Sequence, residues 1–111
     1  MKVDVLDIKD FNEVKQLFFD VFSNAPWYDK WETDEQLSLY LHDLIDNKNS
    51  LSLVLKDKNN IITGASLGYV FNWWQGRGYF IKEFFISREM QNQGIGSLFL
   101  NHINEYLKTM K

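Results

Sequence analysis

From Phe11 to Ile45 the apolar residues of this chain recur every three or four positions, from Ser50 to Phe71 every second position, and from Ile95 onward every three or four again. No segment can bury a single face under both periods, so the chain reads as helices, then strands, then a helix. Phe11, Val14, Leu17, Phe18, Val21 and Phe22 share one face of a first helix, which Asp10 and Glu13 open with the spacing of a capping box. Ser23-Asn24-Ala25-Pro26 breaks it. Thr33 with Gln36 caps a second helix whose apolar face is Leu37, Tyr40, Leu41, Leu44 and Ile45. Lys2 to Ile8 alternates as a short strand ahead of both.

In the strand region Leu51, Leu53 and Leu55 lie on one face, and the polar turn Asp57-Lys58-Asn59-Asn60 predicts a hairpin. Ile61 to Phe71 is the returning strand, in which Gly64 and Gly68 mark either a bulge or a close approach of another backbone. Asn72 to Gly78, with Trp73 and Trp74, reads as a loop, and Tyr79 to Ile86 as a fourth strand that is apolar on both faces. Ile95, Leu98, Phe99, His102, Ile103, Tyr106 and Leu107 form one face of the last helix, in which His102 is expected as a packed residue. The resulting order is β-α-α-β-β-β-α, an α/β chain of the α+β type, without repeats or internal linkers.

At 111 residues and 45% hydrophobic content the chain can build one core and no second domain. A net charge of −3 with no lysine or arginine stripe argues against a nucleic-acid partner. No uncharged run approaches the ~20 residues of a membrane span, so a cytoplasmic protein without a membrane partner is the expectation. With no cysteines, and with His42 and His102 on separate helices, no metal is implied.

One short stretch carries chemistry. Gln91-Asn92-Gln93-Gly94-Ile95-Gly96 joins the end of an apolar strand to an amphipathic helix, where backbone N–H groups of the first turn are unpaired and the helix dipole favours an anion. The same glycines could serve only to turn the chain. A dinucleotide fingerprint would need a third glycine where Phe99 stands and a parallel βαβ setting, and no GxxxxGK[ST] string occurs.

The whole run from Glu83 through Phe85, Ile86 and Ser87 to Gly96 resembles the acetyl-CoA signature of the GNAT N-acetyltransferase superfamily: strand, short loop, Gln/Arg-x-x-Gly-x-Gly/Ala, helix. The element order is similar to the first part of that fold, a GNAT-like mixed sheet. Members normally continue with further strands and a helix, so the resemblance implies a single acetyltransferase domain over 1–111 that is incomplete at its C-terminus. It implies acetyl-CoA as co-substrate, with its pyrophosphate on the amides around Gln91, Asn92, Gln93, Gly94, Ile95, Gly96 and Ser97 and its pantetheine arm beside the main chain of Phe85, Ile86 and Ser87. Family motifs often carry a basic residue or glycine where Asn92 and Gln93 stand.

Glu83, a carboxylate in an apolar strand, is by this resemblance the residue that handles the acceptor amine; alternatively it sits at a strand face near solvent, or pairs with Lys82 or Arg77. The family's leaving-group tyrosine normally lies in the missing part. Trp27, Tyr28, Trp31 and Glu32 stand where relatives build a wall of the acceptor site, and aromatics with carboxylates suit a cation. Ordinary packing is the other reading of these tryptophans. The activity implied is acetyl transfer to a primary amine of a small molecule or protein, against the alternative of a non-catalytic CoA-binding or dimerising half-domain. The fourth strand, with no later strand to pair with, also predicts a homodimer through its edge.

Overall fold

The computed structural model describes residues 1–110. Four strands, β1 (Lys2–Val5), β2 (Ser50–Lys56), β3 (Ile62–Trp73) and β4 (Gly76–Ile86), form one sheet in the order β1-β2-β3-β4. Every neighbouring pair is antiparallel. Helices α1 (Phe11–Phe22) and α2 (Asp34–Ile45) cover one face and α3 (Ile95–Lys108) the other. The period-two stretch sorts its side chains accordingly: Val54, Ala65, Leu67 and Phe85 pack under Val14, Phe18 and Leu41, whereas Leu51, Leu53, Leu55 and Ile86 pack under Phe99 and Ile103.

Thr33 caps α2 as its sequence predicts, its Oγ1 accepting from Gln36 N at 3.0 Å, while the Gln36 side chain reaches back to Glu32 N at 3.1 Å. The capping box expected at α1 is absent. Asp10 makes no side-chain cap. It accepts instead from the buried Lys56 Nζ at 3.4 Å, and Glu13 accepts from Ile62 N at 2.8 Å. Both carboxylates meet partners more than forty residues away, and a buried ammonium is costly without such a partner.

Two further boundaries differ from the sequence reading. The segment 72–78 is not a loop: β3 and β4 run on as a long hairpin in which Trp73 pairs with Gly76 and only Trp74 and Gln75 form the turn. The apolar fourth strand is covered on both faces only at its C-terminal end, where Phe85 and Ile86 are buried. Toward the hairpin tip, Tyr69, Trp73, Trp74 and Phe80 stay exposed, with the Tyr69 and Phe80 rings 5.3 Å apart.

Candidate active site

β4 is the strand on which the candidate residues converge, and a bulge sets how they face. Leu67 of β3 pairs with Glu83 and the next residue, Gly68, pairs with Ile81, so Lys82 has no partner across the ladder. Gly68 makes this possible. A Cβ there would lie 1.9 Å from the Phe80 carbonyl oxygen, so any side chain would force the two backbones apart. The glycine reading of the sequence is thus met on both counts, bulge and close approach.

The bulge leaves Glu83 on the face covered by α1 and α2, together with Phe85. There the Tyr40 hydroxyl, from the middle of α2, donates to Glu83 Oε2. Tyr40 is held by Trp31, whose ring lies 5.4 Å away, and by Phe18 at 6.1 Å. Burial, the hydrogen bond to Glu83, and the negative charges of Glu83 and Asp29 all push the Tyr40 phenol above the usual tyrosine range. A raised pKa means that the fold favours the neutral phenol: this preference is complete below about pH 10 and is lost only as pH rises through the folded-state value. Tyr40 therefore remains a donor throughout the neutral range. Among the described residues Glu83 forms no ion pair with Lys82 or Arg77, the partners the alternative sequence reading offers.

At the end of β4 the open edge runs into the glycine turn. Ser87 N donates to Thr63 O at 2.8 Å, so Ser87 spends its amide inside the sheet. Ladder alternation turns the main-chain groups of Ile86 outward, where its carbonyl accepts from Gln91 Nε2 at 3.0 Å. Gln91 thus ties the turn to the strand edge. Gln93 Nε2 likewise donates to Glu89 O at 2.9 Å. Asn92 and Gly94 take positive φ values of 65° and 76°, and Gly94 caps α3 without a side chain. The first amides of α3, at Ile95, Gly96 and Ser97, have no carbonyl one turn earlier to accept them. Nothing lies within 4 Å of a Cβ built on Gly94, and only Phe84 Cε1, at 3.9 Å, approaches one built on Gly96. The turn is open and made of backbone, with unpaired amides of the kind that suit an anion.

The four residues expected on the acceptor side divide. Trp31 packs against the ring of Tyr40, whose hydroxyl reaches Glu83. Trp27, itself exposed, stands edge-on to Phe22 at 5.1 Å, and Phe22 contacts Phe85 at 5.8 Å on the helix-covered face. Tyr28 and Glu32 are solvent-exposed, Tyr28 at a φ of 52°. Trp31 and Tyr40 line a hollow of about 420 Å³ along α2 with Gln36, Leu39 and Asp43. Beyond Asp43 a larger hollow of about 490 Å³ is bounded by Asn47, Lys48, Tyr69 and Lys82. His102 is partly buried on the α3 stripe, apart from both regions. No group of three or more His, Cys, Asp or Glu side chains among the described residues is placed to hold a metal ion. No helix among them is long and apolar enough to cross a membrane.

Tyr40, the donor to Glu83, is the residue that sequence reasoning placed only in the packing of α2. Its place in the apolar stripe of α2 reads as packing, yet a buried phenol needs a hydrogen-bond partner, and that requirement is the one signal the sequence offers.

These features define an α+β protein, layered helix, sheet, helix, whose open strand edge leads from a buried-face carboxylate to a helix N-terminus. The chain belongs to the acetyltransferase (GNAT) family, whose model matches residues 11–111. No curated protein matches the sequence. Among solved structures it is similar to a GNAT family acetyltransferase from Staphylococcus aureus subsp. aureus USA300_TCH1516, with 20% identity, a TM-score of 0.73, and 99% of this chain and 81% of that one covered. An aminoglycoside acetyltransferase from an uncultured soil metagenomic sample, in complex with sisomicin, gives 22% identity and a TM-score of 0.69 over 97% of this chain and 70% of its own. A ribosomal-protein-alanine N-acetyltransferase from Brucella melitensis biovar Abortus 2308 gives 14% identity and 0.70 over 97% and 71%. At these identities the likeness is one of fold.

Proposed function

We propose that the protein transfers an acetyl group from acetyl-CoA to a primary amine of a small molecule or protein. The observation that carries this reading is the succession, along β4 and the turn that follows it, of a carboxylate, an outward main-chain edge and an open anion cradle, in that order from Glu83 to Gly96. Glu83 and Ile86 are three residues apart, or about 10 Å along the strand, so a single extended ligand could lie on the edge between them.

Bound acetyl-CoA would supply a thioester whose carbonyl carbon accepts the amine. The chain's own residues supply the rest. Amides of Gln91 to Ser97 hold the pyrophosphate, where the helix dipole adds about 0.3–1 kcal/mol and hydrogen bonds to a charged group about 1.5–3 kcal/mol each. Asn92 and Gln93 contribute no charge, so the grip is that of backbone alone. The main chain of Phe85, Ile86 and Ser87 lines the pantetheine arm, with the outward Ile86 N–H placed to polarise the acetyl carbonyl. Glu83 takes the proton of the acceptor ammonium. As the N–C bond forms the C–S bond breaks, the new amide nitrogen gives up its second proton to solvent, and the departing thiolate takes one from solvent. Trp27, Tyr28, Trp31 and Glu32 form the acceptor side, where aromatic faces and a carboxylate suit a cation. The aminoglycoside and ribosomal-protein acetyltransferases of the same fold make sisomicin and an alanyl peptide the natural first acceptors to try.

Incubation with acetyl-CoA and either acceptor is expected to release free CoA thiol and to add one acetyl mass to the amine. Absence of both products with either acceptor, together with no thermal shift on adding acetyl-CoA, overturns the reading.

We also propose that the protein works as a homodimer in the cytoplasm. The edge of β4 on the hairpin side of the bulge, Gly76 to Ile81, is free of the cofactor positions and borders the exposed Tyr69, Trp73 and Phe80, so two copies pairing there would bury both backbone edge and aromatic surface. Sedimentation at low micromolar concentration should give twice the 13.2 kDa chain mass. A monomer with slow amide exchange along this edge would show it protected from within.

A further inference from the structure

We infer that Tyr40 is the positioning residue for Glu83, holding one carboxylate oxygen so that the other is presented to the acceptor amine. The inference rests on the reading of Glu83 as the proton acceptor.

The two residues lie on different layers, 43 positions apart, and the contact spans the space between α2 and the strand bulge. Tyr40 does not swing freely: Trp31 and Phe18 hold its ring at 5.4 and 6.1 Å, so the hydroxyl is aimed by packing. A phenol has one proton to give. It engages Oε2, and among the described residues no side chain donates to Oε1. The identity of the donor matters as much as its position. A lysine or arginine in the same place would satisfy the carboxylate as an ion pair and weaken its attraction for an incoming ammonium. A neutral phenol fixes the group and leaves its charge. The charged and titratable groups around the pair are Asp29 from the loop before α2, Asp43 one turn on from Tyr40 along α2, and Lys82 on β4, while β3 presents the uncharged Leu67 opposite Glu83. Asp29, burial and Glu83 itself all keep the phenol protonated, so the arrangement persists across the pH range in which an amine must be deprotonated.

The bulge gives the pairing its reach. Were Lys82 a regularly paired residue instead of a bulged one, strict alternation from Tyr79, which faces α3, would put the Glu83 carboxylate on the α3 face, away from α2. Gly68, Lys82 and Tyr40 therefore act on the same side chain from three elements.

The test is a double-mutant cycle on acetylation of sisomicin and of an alanyl peptide, with Tyr40→Phe, Glu83→Gln and the double variant. Phe keeps the ring against Trp31 and Phe18, and melting midpoints of all four proteins report the fold. Tyr40→Phe is expected to lower kcat about tenfold, with KM for acetyl-CoA within about twofold, but to change kcat less than about twofold once Glu83 is Gln. Loss by the same factor in both backgrounds marks a packing role and overturns the inference. So does an unchanged kcat in Tyr40→Phe when Glu83→Gln alone is slow, a result that leaves the proposed activity standing. If the parent acetylates neither acceptor and binds no acetyl-CoA, the proposed activity fails and the inference with it.

Discussion

Glu83→Gln is expected to slow acetylation of the acceptor amine about 100-fold near pH 6.5 and by less than about threefold above pH 9.5, the low-pH loss being at the lower end of what a positioned general base contributes. The pH dependence follows from the acceptor. An alkyl ammonium with a pKa of about 10.4 is almost wholly protonated near pH 6.5, so each turnover needs a proton removed, whereas in alkaline solution the free amine is already abundant. The substitution is a narrow one. Gln retains a carbonyl oxygen that can accept from Tyr40, which stays protonated over this range, so the contact between α2 and β4 is kept while proton acceptance is lost. Rates measured at saturating acetyl-CoA across the pH range check it. A loss that does not vary with pH assigns Glu83 to structure.

Gly96→Glu is expected to weaken CoA binding at least ~100-fold while leaving the protein folded. The space beside Gly96 holds only Phe84 Cε1, at 3.9 Å, so a side chain enters without displacing the core. Replacing a helical glycine recovers up to about 1 kcal/mol, and a carboxylate in the first turn adds about 0.3–1 kcal/mol through the dipole. The variant should therefore melt no lower than the parent. The same carboxylate occupies and repels the phosphate position. Losing two amide contacts to a charged group, at about 1.5–3 kcal/mol each, accounts for a ~100-fold loss by itself, before repulsion is counted. Calorimetric titration with CoA, beside a thermal melt, measures both effects. Unchanged affinity would place the nucleotide elsewhere.

Much of this fold is written locally. The two periods of the apolar residues depend only on the geometry of helix and strand, so α1, α2, β2 and α3 lie where the pattern puts them. Thr33 and Gln36 cap α2 for the same reason: their partners are within one turn. Asp57 shapes the first hairpin through Asn59 N and Ile61 N, again within four residues. The glycine turn is equally local, since its chemistry resides in backbone amides at a strand-to-helix junction.

Distance in sequence is what hid the rest. Asp10 and Glu13 have the spacing of a capping box, but a buried Lys56 and the Ile62 amide compete for them, and those partners are brought near only when the sheet forms under α1. The segment 72–78 carries glycines and polar residues that look like a loop, yet pairing along the whole β3–β4 edge makes it a hairpin. The apolar pattern of β4 does not show that its tip lies beyond the helices.

What the sequence determined by itself is the set of elements, the sheet-and-helix class and the anion cradle between β4 and α3, because each depends on residues a few positions apart. Tertiary structure alone decided which way Glu83 faces and what holds it. A bulge exists only between two paired strands, and the Tyr40 hydroxyl meets the carboxylate only after α2 has packed across the sheet. Residue type limits the chemistry each group could do, and packing decides which groups stand together.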